Sequence, residues 1–354
     1  MATPALRLLR DRLRGTFIGG LARPGIDELL AGSDFFDEIH VERARGVMGP
    51  KFVAAKIRPR RYDAALLLTN SFSTALTARI AGIPRRFGYA RDGRGLLLTD
   101  RFEAPRRADG RWAPVPATAY YWHAAGAVLA ACGKLEPGDH AQAFDLPRSK
   151  MELATTPDQE AAADEVLARA GVDPGRAMII LNPGGNNPAK RWPSDRFAAI
   201  GRELAARFGV NVLVNGSPGE ADLTTIITSG IDCDLSRPRC AYDLAPCGVT
   251  LGSLKSIVRR CRLMITNDTG PRHIAAAFRV PVVSIFGPTD PRWTTIPVDP
   301  GMEHVLSADP SLPPEEIADD HPDRCRVDRV SFESVLSAAA AILDPSLSSG
   351  QKAS

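Results

Sequence analysis

The sequence has no long apolar run: its longest, around residues 124–131, is far too short to span a bilayer. Arginines interrupt the first fifteen residues, so no apolar segment of a secretory signal is visible there. Charge of one sign is also scarce, since 44 Lys and Arg stand against 41 Asp and Glu, leaving +3. That is too weakly basic to imply a nucleic-acid partner, and 6% aromatics offer few platforms for stacking bases. None of the six cysteines forms a CxxC pair. Cys233, Cys240 and Cys247 are evenly spaced, but no histidine lies near to complete a zinc set, so they read as free thiols of a reducing cytosol. The spacings GxxxxGK[ST] and GxGxxG are absent, which excludes a P-loop and a dinucleotide fingerprint.

What is present is enough chain for two cores. At roughly 150 residues per domain, 354 residues and 44% hydrophobic content imply about two domains. Apolar runs alternate with segments of helical period, the pattern of parallel α/β architecture. Thr3-Pro4 reads as a helix cap followed by a first-turn proline, with Leu6, Leu9 and Leu13 on one face. The run at 64–68 reads as a strand buried on both faces. A Pro-, Gly- and polar-rich stretch at 134–157 reads as a linker. The expected division is an N-terminal domain at 1–150, a C-terminal domain at 151–330, and a helix with a frayed tail at 331–354. Two half-chains of this build predict two facing Rossmann-like domains, with ligands at the carboxyl ends of the strands in the cleft between them.

Four segments carry the chemistry. In Asn267-Asp268-Thr269-Gly270-Pro271-Arg272-His273 a strand gives way to a helix start. The free N–H groups and dipole of that first turn suit a diphosphate, Gly270 permits close approach, and Thr269 adds a hydroxyl. Asp268 either caps the helix or faces something other than the anion, most simply sugar hydroxyls. His273 is either a packed core histidine or part of the site. In Asn182-Pro183-Gly184-Gly185-Asn186-Asn187-Pro188-Ala189-Lys190-Arg191-Trp192-Pro193 the Gly and Asn residues suit tight turns, and Lys190 is a mobile charge suited to phosphate. By itself, though, the loop reads as ordinary and solvated. The third segment, Val214-Asn215-Gly216-Ser217-Pro218-Gly219-Glu220, places Glu220 to accept ribose hydroxyls or merely to offset a helix dipole. The fourth, Phe286-Gly287-Pro288-Thr289-Asp290-Pro291, opens a further loop at a strand end.

Together, NPGGNNPAKRWP, NDTGPRHIAAA and FGPTDP resemble the bacterial glycosyltransferase family 9, which includes the ADP-heptose:lipopolysaccharide heptosyltransferases. PALRLLR, ARPGIDELLAGSDFFDEI, LLLTNSFSTALTARIAGIPRRFGY and GRGLLLTD resemble the N-terminal half of its heptosyltransferase II branch. The resemblance implies a GT-B fold. It implies that the C-terminal domain binds ADP-heptose and the N-terminal domain a lipid A–core acceptor, at the cytoplasmic side of the inner membrane, with no metal or cofactor. Residue by residue, Lys190 matches the lysine at the donor diphosphate, Asp268 the acid at the donor sugar, and Thr269 and Gly270 the diphosphate turn. Glu220 resembles the ribose contact, Thr250 and Leu251 of GVTLGSL fall by the adenine, and His273 is the motif histidine. An anionic acceptor is expected near Asn70 and Ser71, with Arg85, Arg86, Arg91 and Arg94; these arginines equally describe a solvated basic face, or a weak attraction to anionic lipid headgroups.

One departure stands out. Family members open with a strand and a Gly-Asp loop whose aspartate is the general base, whereas this sequence begins at Met1-Ala2-Thr3-Pro4. The strand and base, roughly 15 residues, are therefore expected upstream of Met1; otherwise the chain is an inactive, sugar-nucleotide-binding member. A nucleotide-sugar epimerase of the same build is the other rival.

Overall fold

In the computed structural model of the chain, residues 1–44, 46–135, 149–232 and 238–344 are described. Cys233, most of the expected linker and the tail beyond Asp344 lie outside them. The chain divides into two compact units, one of residues 1–150 and 292–297, the other of residues 151–291 and 298–354. Residues 292–297, assigned to the second domain on sequence, thus group with the first. Thr118 Oγ1 donates to the Thr295 carbonyl at 3.5 Å within that unit.

The first unit runs α1 (Thr3–Arg12), β1 (Gly19–Ala22), α2 (Ile26–Leu30), β2 (Glu38–Val41), α3 (Gly49–Ile57), β3 (Ala64–Leu67), α4 (Phe72–Ile80), β4 (Arg85–Tyr89), β5 (Asp100–Phe102) and α5 (Ala117–Ala131). Thr3, read as the helix cap, is instead the first helical residue and is buried, while Ala2 stands at the cap position without a side-chain bond. Ala5, Leu8 and Leu9 of α1 pack with Phe87 of β4 and with Trp122, Ala125 and Leu129 of α5. The strands are parallel but form two pieces, β1-β2 and β3-β4-β5, and among the described residues no ladder joins β1 to β3. The strand expected to be buried on both faces is not: Ala64 of β3 is exposed and the next three residues are half-buried. A strand keeps both faces dry only where elements cover it on each side, and β3 closes one end of its piece.

The second unit runs α6 (Pro157–Ala170), β6 (Met178–Asn182), α7 (Ser194–Phe208), β7 (Asn211–Val214), α8 (Ala221–Ile231), β8 (Ala241–Asp243), α9 (Leu251–Arg259), β9 (Cys261–Asn267), α10 (Gly270–Ala277), β10 (Val282–Phe286), β11 (Glu303–Ser307) and α11 (Phe332–Leu343). Its six strands are parallel in the order β11-β10-β9-β6-β7-β8. Counted from its first strand this is the 3-2-1-4-5-6 order of a Rossmann sheet, which reverses between β6 and β9. Ile179, Leu181, Val212, Leu263, Ile265 and Val283 are fully buried. Such continuous apolar runs suit strands covered on both faces. The last helix, set apart on sequence, belongs to this core through Val335, Ala339 and Leu343.

An ion cluster fastens α6 to the end of α9. Glu160 meets Arg259 at 3.0 Å and Arg260 at 2.6 Å, and Arg260 meets Asp164 at 2.5 Å. Burial acts to raise the Glu160 pKa, but the hydrogen bonds, led by those from Arg260, outweigh it and hold the carboxyl down at about 2. A carboxyl depressed in the folded state stabilises the fold above its unfolded pKa and loses that contribution as pH falls towards its folded one. Wild type should therefore lose melting temperature between roughly pH 4.5 and pH 2 more steeply than Glu160→Gln. Parallel slopes in a pH series of thermal melts would show that the cluster contributes nothing.

Candidate donor site at the switch point of the second sheet

Because the strands are parallel, the loops after β6, β7, β9 and β10 leave the same edge of the sheet. The loops after β6 and β9 flank the position where strand order reverses, the place at which open α/β sheets bind ligands. Asn267, fully buried at the end of β9, joins these two loops. Its side-chain amide donates to the Pro183 and Gly184 carbonyls at 2.8 and 3.2 Å, and its carbonyl oxygen accepts the Trp192 backbone N–H at 3.2 Å. Trp192 is 2% exposed; its ring N–H donates to the Val330 carbonyl at 2.9 Å, and its ring meets Phe197 edge-on. The chain on either side of Lys190 is thereby fixed.

Lys190 Nζ lies 3.0 Å from Asp268 Oδ2, and the two side chains are 24% and 8% exposed. Thr289 Oγ1, from the loop after β10, donates to the same oxygen at 3.2 Å. Arg272 Nη1 stands 4.0 Å from Asp268 Oδ1. Asp268 is therefore not the helix cap, a position held by Thr269. The Thr269 hydroxyl pairs with that of Thr266 at 3.1 Å, and a Cβ added at Gly270 would meet nothing within 4 Å. The first turn of α10 thus keeps N–H groups that no side chain caps, beside a lysine. Together they can hold a phosphate group.

Glu220 ties the loop after β7 to the loop after β6. Oε1 accepts the Gly185 N–H at 2.9 Å and Oε2 accepts the Ser217 N–H and hydroxyl at 2.9 and 2.8 Å. Burial acts to raise its pKa, but the backbone N–H groups of Ser217 and Gly185 outweigh that and leave it below the ordinary carboxylate range. Gly184 permits this approach, since a Cβ there would displace the Glu220 carboxylate. A carboxylate offers about four acceptor sites, so bonds to a ligand remain open to it.

Lys190, Asp268, Thr269, Gly270 and Glu220 are thus brought together by these loops. His273 lies in the first turn of α10; its Nδ1 is buried without a hydrogen-bond partner, and burial, together with the neighbouring Arg272 charge, holds its pKa well below the ordinary value. Thr250 and Leu251 open α9 instead, where the Thr250 hydroxyl accepts the Ser253 N–H at 3.3 Å as a helix cap. Asn267, Thr289 and Arg272 were not singled out on sequence. Asn267 and Arg272 lie beside Asp268 in the same motif, but their residue types do not announce their partners, and only the pairing of β10 with β9 brings Thr289 to Asp268.

In the first unit the expected acceptor residues separate. Asn70 lines a cavity of about 170 Å³ with Arg91, Trp112, Tyr120, Tyr121 and Trp293. The Arg91 and Arg106 guanidinium groups lie 4.1 and 3.9 Å from the centre of the Trp112 ring. Arg94 is fully buried, and its donors go to the Tyr89 and Thr69 carbonyls and, at 3.1 Å, to Asn70 Oδ1. It orients Asn70 rather than meeting a ligand. Ser71 caps α4 by accepting the Thr74 N–H. Arg85 and Arg86 begin β4, paired with Ala64 and Ala65, at the opposite end of the strands from Asn70. Arg85 bonds Asp100 and the Ala131 carbonyl, and Arg86 the Leu97 and Ile83 carbonyls. The sequence placed these two beside Asn70 because they follow it closely, but a parallel strand starts at the far edge of its sheet.

A Rossmann sheet with a lysine–aspartate pair and an uncapped helix start at its switch point is an α/β unit whose geometry suits an anion. The profile of glycosyltransferase family 9 (heptosyltransferase) matches residues 52–321, and the chain belongs to that family. It is 30% identical over 249 residues to lipopolysaccharide heptosyltransferase 2 of Escherichia coli, a stretch covering 67% of this chain and 63% of that protein. It is also 30% identical over 250 residues to lipooligosaccharide heptosyltransferase 2 of Haemophilus influenzae, covering 70% of this chain and 66% of that one. The matched stretch therefore spans just under two thirds of these relatives' length. The solved structure of the Escherichia coli ADP-heptose lipopolysaccharide heptosyltransferase II superposes with a TM-score of 0.74 at 23% identity, covering 97% of this chain and 94% of that one. A family 9 glycosyltransferase from Veillonella parvula gives 0.72 at 20% identity, covering 97% and 92%. The fold is accordingly GT-B, with two Rossmann-like domains. No helix among the described residues is long and apolar enough to cross a membrane.

Proposed function

We propose that the chain is an inverting glycosyltransferase that moves a heptose from ADP-heptose to the inner core of lipopolysaccharide. The observation that carries this reading is the Lys190–Asp268 pair beside the uncapped start of α10, at the switch point of the second sheet. The acceptor oxygen bonds to the anomeric carbon as the bond from that carbon to the diphosphate breaks. ADP departs, and the acceptor proton passes to a carboxylate base, for which the family resemblance expects the aspartate of a Gly-Asp loop. Lys190 and the N–H groups at Thr269 and Gly270 take up the charge of the leaving diphosphate. Asp268 addresses the sugar hydroxyls and Glu220 the ribose. Thr250 and Leu251 border the adenine, and His273, neutral, packs beneath the first turn of α10. The acceptor lies against Asn70 and Arg91 of the first unit, and its lipid anchor brings the chain to the cytoplasmic face of the inner membrane. The names of the two relatives described above, each a heptosyltransferase 2, support the donor and acceptor class.

Lys190→Ala should weaken ADP binding by about 1.5–3 kcal/mol, the usual worth of a hydrogen bond to a charged group, or roughly 10- to 100-fold. Calorimetric titration of ADP into both proteins measures it. Equal affinities would remove Lys190 from the site and the donor reading with it.

A further inference from the structure

Asp268 faces two cations that differ in freedom. Lys190 is 24% exposed and reaches the carboxylate from a loop. Arg272 is fully buried at the first turn of α10 and is held from below. Its Nε donates to Ser284 Oγ at 3.0 Å and to Glu303 Oε1 at 2.7 Å, its Nη2 lies 2.7 Å from the same Glu303 oxygen, and Ser284 Oγ donates to that oxygen at 2.5 Å. The guanidinium also lies over the Phe286 ring at 4.9 Å. Glu303 begins β11 and Ser284 lies within β10, so two strands of the sheet fix the arginine.

We infer that Arg272, anchored by Glu303 and Ser284, is a positioning residue that holds the Asp268 carboxylate in place when a sugar nucleotide draws Lys190 away. A diphosphate at the start of α10 competes with Asp268 for Lys190, because one ammonium cannot fully serve two anions. Lys190 has the freedom to turn towards the phosphate. Arg272 does not, since its Nε and Nη2 are held by Ser284 and Glu303 and its Nη1 faces Asp268 Oδ1 at 4.0 Å. The two cations therefore divide the work: Lys190 is exchanged between carboxylate and phosphate, and Arg272 stays with the carboxylate. Asp268 then keeps one oxygen oriented by Arg272 and presents the other, freed from Lys190, to the sugar. This inference rests on the donor reading proposed above.

The main variant must not strand a buried charge, because removing one partner of a buried pair destabilises far more than replacing both with apolar groups of similar size. The double variant Arg272→Met/Glu303→Leu removes the whole pair, and Glu303→Gln alone keeps the arginine beside Asp268. Thermal melts, ADP affinity by calorimetry and turnover with ADP-heptose and a lipid A–core acceptor are measured for each. Expected results are a folded double variant that binds ADP within about two-fold of wild type but turns over at least ten-fold more slowly, a Glu303→Gln variant that keeps most of its turnover, and partial recovery in Arg272→Lys/Glu303→Leu. A double variant with undiminished turnover overturns the inference, as does one that loses ADP affinity as far as turnover, because the pair would then build the phosphate site. If neither double variant folds, the pair is structural and the inference fails. A wild type that binds no ADP fails the donor reading itself, and is told apart by the calorimetry alone.

Discussion

Asp268→Asn lowers heptose transfer by about 100-fold or more, the scale set by removing one charged or hydrogen-bonding group that acts on the reacting centre, while ADP binding holds or rises. The reasoning starts from the pair at 3.0 Å between Lys190 and Asp268. In the free protein that contact competes with the diphosphate. Removing the negative charge releases Lys190 to the phosphate and leaves the nucleotide half of the donor as well held as before. What is lost is the acceptor for sugar hydroxyls and its orientation against the reacting carbon. Asn keeps the size of the side chain and can still accept from Thr289, so the fold should survive. The pattern is opposite to that of Lys190→Ala, in which nucleotide affinity falls first. Steady-state kinetics and calorimetry on the two variants measure the contrast. If Asp268→Asn transfers sugar at the wild-type rate, Asp268 is only an ionic tether for the loop that carries Lys190.

The second large effect is on stability. Trp192→Ala should cost about 3–5 kcal/mol, as truncating a buried aromatic commonly does, and lower the melting temperature by roughly 6–20 °C for a unit of this size. The indole fills the core beside Phe197 and donates to the Val330 carbonyl, near the start of α11. Its backbone N–H is bound by Asn267, so the same residue fastens the loop bearing Lys190. Loss of ADP affinity should therefore accompany the loss of stability, whereas Trp192→Phe should keep much of both. A Trp192→Ala protein that melts with wild type would mean that the loop is held by its backbone bonds alone.

The second unit was far more legible in the sequence than the first. β10 is apolar apart from Ser284, and α6 carries a Thr156–Gln159 capping box with proline in its first turn. The strands β6, β7, β9 and β10 each end in a Gly- or Asn-bearing loop that marks the ligand edge. The strands that sequence did not reveal are short or begin with charge: β2 starts at Glu38, β4 opens with two arginines, β5 starts at Asp100, β8 has three residues, and β11 starts at Glu303. Their burial comes from neighbours in the sheet, which one-dimensional periodicity does not contain. The site residues divide in the same way. Lys190, Asp268, Thr269 and Gly270 lie in motifs whose local turn chemistry suits an anion. Arg272 lies in one of those motifs too, yet its role comes from Glu303, 31 positions away across the sheet. Arg94 shows the reverse error. A cluster of arginines in sequence suggested a basic face, but this one is consumed by carbonyl groups inside the unit.

The most direct test of the account is transfer itself. The protein, carrying ahead of Met1 the opening strand and Gly-Asp loop that the family resemblance expects, is incubated with ADP-heptose, with and without a lipid A–core acceptor that lacks the heptose, and the acceptor's mass and the released ADP are followed for wild type and Lys190→Ala. The account predicts acceptor-dependent ADP release, a product heavier by one heptose with inverted anomeric configuration, and loss of both in Lys190→Ala. A wild type that binds ADP through Lys190 yet never modifies the acceptor would be a sugar-nucleotide-binding protein. Undiminished transfer by Lys190→Ala would contradict the placement of the donor at the switch point of the second sheet.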